Sequence, residues 1–87
     1  MMANLIATLQ HGRTVTFTGD SGGAAYFGGI QIDFGDGEQD FFCRPGKDCN
    51  DATSTHVYAK PGQYCVRLLG QGEGQQTVVA TTNVMIK

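Results

Sequence analysis

The chain has 87 residues, of which 40% are hydrophobic and 16% charged, with a formal net charge of −2. A domain of this size buries only about 60–65% of the surface its unfolded chain exposes, which leaves little room for a deep internal cavity beside its core. Arg13, Arg44, Lys47, Lys60, Arg67 and Lys87 are scattered along the chain, so the clustered positive surface that nucleic acid requires is missing, and no stretch approaches the roughly 20 apolar residues of a membrane helix.

The N-terminal segment M-M-A-N-L-I-A-T-L-Q-H-G lacks a basic n-region and a sustained apolar run, so it does not read as a signal peptide. Asn4 to Leu9 and Thr14 to Thr18 are predicted strands, with Leu5, Ala7 and Leu9 on one face of the first and Val15 and Phe17 on one face of the second. H-G-R between them is a hairpin connection. Gly19 to Gly29 reads as a loop holding the pair Tyr26 and Phe27. Ile30, Ile32 and Phe34 then share one face of a strand while Gln31 and Asp33 face the other way. In F-G-D-G-E, Gly35 and Gly37 supply positive φ and Asp36 caps nearby backbone N–H groups.

Gln39 to Cys43 is a short returning strand, in which one of Phe41 and Phe42 faces the core and the other faces out. R-P-G-K-D-C-N-D follows, a composition that lets the chain turn back so that Cys43 and Cys49 form a disulfide, with Cys65 a plain strand residue. Thr53 to Tyr58 is β-prone, and Lys60-Pro61-Gly62 is a turn in which Pro61 presets φ. Gln63 to Leu69 alternates with Tyr64, Val66 and Leu68 on one face. Thr77 to Ile86 closes the chain, with Val78, Ala80, Val84 and Ile86 in one parity. No window keeps a helical apolar stripe. About seven short strands with turn signals between them predict one all-β domain over residues 1–87, a sandwich of two antiparallel sheets.

Two segments sharpen this. I-Q-I-D-F-G-D-G-E at residues 30–38 and H-V-Y-A-K-P-G-Q-Y-C-V-R-L at residues 56–68 together resemble the PKD (polycystic kidney disease) domain family, with Ile32 where that family usually has Trp. The resemblance implies an immunoglobulin-like sandwich whose structural motif residues are Ile32, Phe34, Gly35, Asp36, Gly37, His56, Tyr58, Gly62, Tyr64 and Val66. Tyr64 sits where a tyrosine corner would, with its ring inward and its hydroxyl on backbone. The resemblance also implies a non-catalytic extracellular or cell-surface module that binds protein or polysaccharide.

The residues themselves offer little chemistry. No G-x-S-x-G is present, and the available bases, His11 and His56, are a turn residue and a motif residue. The spacing of Cys43, Cys49 and His56 matches no zinc pattern. Asp33, Asp36, Glu38 and Asp40 concentrate hard oxygen ligands that suit Ca²⁺, although aspartates at turns ordinarily cap backbone. The expectation is therefore no resident metal, with calcium at these four as the alternative. The exposed-aromatic candidates for ligand contact are Tyr26, Phe27, Phe41 and Phe42, of which at most one of Phe41 and Phe42 can serve; the alternative is that these rings close the ends of the core. A second functional reading is a structural subunit of an assembly, such as a virion decoration or surface lattice, using either the long last strand, uncharged until Lys87, as a pairing edge or its exposed loops.

Overall fold

The computed structural model describes residues 3–23, 26–46 and 52–87. Among them run seven strands: β1 (Asn4–His11), β2 (Thr14–Asp20), β3 (Ile30–Asp33), β4 (Gln39–Cys43), β5 (Ala52–Val57), β6 (Gly62–Gln71) and β7 (Gln76–Ile86). They form two antiparallel sheets, ordered β1-β2-β5 and β4-β3-β6-β7, the sandwich that the strand pattern predicts.

Alternation explains the core. Val15 and Phe17 of β2, Ile30 and Ile32 of β3, and Val66 and Leu68 of β6 are all fully buried, and Leu5, Val84 and Ile86 close around them. Each large side chain removed from water in this way contributes about 1.5–3 kcal/mol. His11 and Thr14 are paired across Gly12 and Arg13, and Gly12 has φ 64°, the positive value that a two-residue hairpin loop demands.

Two strands depart from simple alternation, each at a bulge. In β1 Leu5 is buried and Ala7, still in register with it, is exposed on this edge strand; the register then shifts between Ala7 and Leu9, and Leu9 is 65% exposed. The expected Leu5, Ala7, Leu9 face thus holds only at its first residue. Between β6 and β7 the register shifts at Leu68 and Leu69. Val79, rather than Val78, packs against the core together with Ala80, and Val78 is exposed. A bulge inserts one unpaired residue and moves everything beyond it to the opposite face.

The loop before β3 is built around Tyr26. Its carbonyl accepts the N–H groups of Gly29 at 3.0 Å and Gly46 at 2.8 Å. Its ring lies over Gly70, where a Cβ would come within 2.5 Å of it. Tyr26 is therefore a partly buried structural anchor and not the exposed platform expected of it.

Candidate interaction surface

The D-F-G-D-G turn and the H-V-Y strand end assemble into one hydrogen-bonded unit. Asp33 Oδ1 accepts the Gly35 N–H at 3.0 Å, and Asp36 Oδ1 accepts the Glu38 N–H at 3.1 Å. Asp36 Oδ2 lies 2.7 Å from His56 Nε2, and Arg67 reaches Asp33 Oδ2 at 3.3 Å. Gly35, at φ 83°, passes so close to β6 that a Cβ would sit 2.5 Å from the Cys65 carbonyl oxygen.

Rings stack behind this turn. Phe34 and His56 are parallel, with centroids 3.9 Å apart; His56 meets the edge of Tyr58 at 4.7 Å; Tyr58 stacks on Tyr64 at 4.4 Å. The Tyr58 hydroxyl donates to the Phe34 carbonyl at 2.8 Å in the buried interior, and the Tyr64 hydroxyl donates to the Lys60 carbonyl at 2.7 Å. Tyr64 thus makes the corner contact that the sequence predicts, while Tyr58 is the deeper anchor, fully buried.

The electrostatics follow from this packing. Burial would raise the Asp36 carboxyl; the His56 hydrogen bond, the Glu38 N–H and the His56 charge outweigh it and hold the group below the ordinary carboxylate range. Burial, reinforced by the nearby Asp36 charge, pushes the Tyr58 phenol well above its ordinary value.

The four carboxylates considered for calcium do not converge. Asp33 is taken by Gly35 and Arg67, and Asp40 Oδ1 accepts the Phe41 N–H at 2.8 Å. Among the described residues the ligating groups that meet are Asp36, Glu38 and His56. An imidazole already hydrogen-bonded to one of two carboxylates is a poor donor set for a hard cation. Cys43 pairs with Ile30 at one end of β3, whereas His56 stacks on Phe34 beyond the other, so they share no site. Cys49, and the expected Cys43–Cys49 pairing with it, lies outside the described residues. Cys65 is a free, exposed thiol.

Exposure divides the predicted aromatics. Phe27 is 79% and Phe41 66% exposed. Phe42 turns inward against the core, its ring 2.8 Å from where a Gly19 Cβ would lie. Phe41 stands on the outer face of the four-stranded sheet between two shallow clefts. One, of about 330 Å³, is lined by Phe41, Phe42, Cys43, Arg44 and Pro45; the other, of about 250 Å³, by Gln31, Gln39, Asp40 and Phe41. The strand register aligns Phe41, Gln31, Leu69 and Val78 across β4, β3, β6 and β7, with Phe41 and Val78 exposed and Leu69 between them buried. Sequence reasoning does not find that alignment, because the β6–β7 bulge is what aligns Val78 with Leu69.

These features define an immunoglobulin-like β-sandwich whose polar motif residues serve the fold and whose exposed aromatics lie on a sheet face and a loop. No curated protein and no solved structure matched the chain in comparison. The model of the PKD domain matches residues 3–84, and the chain belongs to the PKD domain family. Domains of this family are generally non-catalytic extracellular modules. Among the described residues no helix is long and apolar enough to cross a membrane.

Proposed function

We propose that this PKD domain is an extracellular or cell-surface interaction and spacer module that docks onto a protein or polysaccharide through the outer face of its four-stranded sheet. The observation that carries the reading is Phe41, an aromatic ring left 66% exposed in the middle of a strand, flanked by the planar amides of Gln31 and Gln39 and the Asp40 carboxylate. An exposed ring supplies contact area at small conformational cost, and the neighbouring polar groups supply orientation. Phe27 in the loop is the second contact. The same reading includes a Cys43–Cys49 disulfide, in keeping with an oxidising compartment; the burial of Cys43, in contrast with the free Cys65, supports it.

The test is co-sedimentation with insoluble cellulose, xylan and chitin, and surface capture on immobilised gelatin as a fibrous protein. Phe41→Ala lowers affinity about tenfold or more on whichever support retains the parent, with melting temperature unchanged. Retention that is indifferent to both Phe41→Ala and Phe27→Ala sinks the proposal.

A further inference from the structure

Asp36 and Glu38 stand two residues apart in the turn from β3 to β4, and His56 lies near the end of β5 in the other sheet. One ligating atom from each falls within 4.8 Å of the other two. His56 Nε2 is 2.7 Å from Asp36 Oδ2 and 3.7 Å from Glu38 Oε2. A tetrahedral ion with bonds of about 2.1 Å holds neighbouring donors about 3.4 Å apart. The two distances bracket that edge, so small side-chain rotations bring all three atoms onto one ion.

The imidazole separates this group from an ordinary pair of turn carboxylates. Its side chain is only 11% exposed, and its ring is fixed from two sides, stacked on Phe34 and meeting the edge of Tyr58. That packing aims Nε2 at both carboxylates and leaves little side-chain entropy to lose on binding. Asp36 is held as well, because its Oδ1 accepts the Glu38 N–H and its Oδ2 faces the ring. Glu38 is the adjustable member, with its side chain 70% exposed. Beside the three opens a cleft of about 410 Å³ lined by Asp36, Glu38, Ala59, Lys60 and Tyr64. It has room for a water at a fourth position, and its lining sets two carboxylates against the single ammonium of Lys60.

We propose that Asp36, Glu38 and His56 bind a zinc ion, with water completing the tetrahedron. The donor set selects the metal: imidazole suits zinc, whereas calcium takes six to eight oxygens, which this group does not supply. On entry the ion replaces the proton between His56 Nε2 and Asp36 Oδ2, which passes to solvent, and the neutral ring keeps its other proton on Nδ1. The bound ion ties the β3–β4 turn of one sheet to β5 of the other and so fastens the sandwich at this end. The proposal is independent of the ligand reading above, since Phe27 and Phe41 take no part in it.

The test is a calorimetric titration with zinc chloride, run on the Cys65→Ser protein so that the exposed thiol does not compete, with the imidazole nitrogens followed by NMR. Binding is expected to saturate below about 1 mM and to move the His56 Nε2 resonance. Tm is expected to rise by roughly 10 °C or more once free zinc exceeds Kd about a hundredfold. Glu38→Gln leaves the backbone bonds of the turn in place and is expected to melt with the parent in the absence of zinc, while weakening zinc about tenfold or more. Each of four results overturns the proposal: no saturation by about 1 mM zinc, zinc bound with the His56 Nε2 resonance unmoved, affinity undiminished in Glu38→Gln, or calcium chloride bound as tightly as zinc.

Discussion

Replacing Tyr58 with Phe isolates one hydroxyl. The ring stays, with its stack on Tyr64 and its edge contact to His56, and only the bond from the phenol to the Phe34 carbonyl at 2.8 Å is lost. Tyr58 is fully buried, so water does not replace the missing donor. A buried hydrogen bond contributes about 1 kcal/mol net, and a stranded acceptor costs about 1–3 kcal/mol. A loss of about 2 kcal/mol follows, and in a domain of 60–100 residues this lowers Tm by roughly 8–16 °C. Tyr64→Phe is the internal control. Its hydroxyl bonds the Lys60 carbonyl at an exposed position, where water substitutes, so it costs about 1 kcal/mol or less. Thermal unfolding of the two variants beside the parent, followed by circular dichroism, gives both numbers. The reasoning is refuted if Tyr58→Phe melts within a degree or two of the parent, or if Tyr64→Phe is the more destabilised, because either result places the anchor elsewhere.

Two further outcomes follow from the same turn. Gly35→Ala meets both a positive φ and a Cβ contact of 2.5 Å with the Cys65 carbonyl, whereas Gly37→Ala, at φ 94°, meets nothing within 4 Å; chemical denaturation should show Gly37→Ala costing about 1 kcal/mol and Gly35→Ala at least twice that. The pH dependence has two limbs. The folded Tyr58 phenol titrates above its unfolded value near 10, so its contribution is complete below that pH and is lost as pH rises beyond it. The folded Asp36 carboxyl titrates below 3.8, so its contribution is present above that pH and is lost as pH falls through the folded value. Stability measured against pH should lose part of its alkaline slope in Tyr58→Phe and part of its acid slope in Asp36→Asn.

What could be read from the chain, and what could not, divides along a physical line. Alternation in β2, β3 and β6 is uninterrupted through Val15 and Phe17, Ile30 and Ile32, and Val66 and Leu68, and every one of these is buried as its parity requires. The turns are equally legible, because Gly35 and Gly37 have the positive φ their positions ask for. Parity fails where a bulge intervenes, at Leu9 and at Val78, since an extra residue leaves no mark in composition. Tyr26 turns inward for a different reason. A glycine-rich loop suggests exposure, but the ring is received by Gly70, 44 positions further along the chain, and local pattern carries no information about such a partner. The aromatic surface is accordingly half legible, with Phe27 and Phe41 outside and Tyr26 and Phe42 turned in.

The course of the first and last strands has a mechanical consequence. The Asn4 carbonyl lies beside Gly19 and the Leu68 side chain, whereas Ile86 is paired with Gly62. Leu68 and Gly62 are six residues apart on β6, about 20 Å at strand rise. The chain therefore enters at one end of the sandwich and leaves near the other, and Gln10 meeting Met85 shows β1 and β7 running the same way. Tension applied through the two ends acts along the strands, loading their hydrogen bonds together in shear rather than peeling them one at a time. Modules of this shape joined in series lengthen a tether without folding it back on itself.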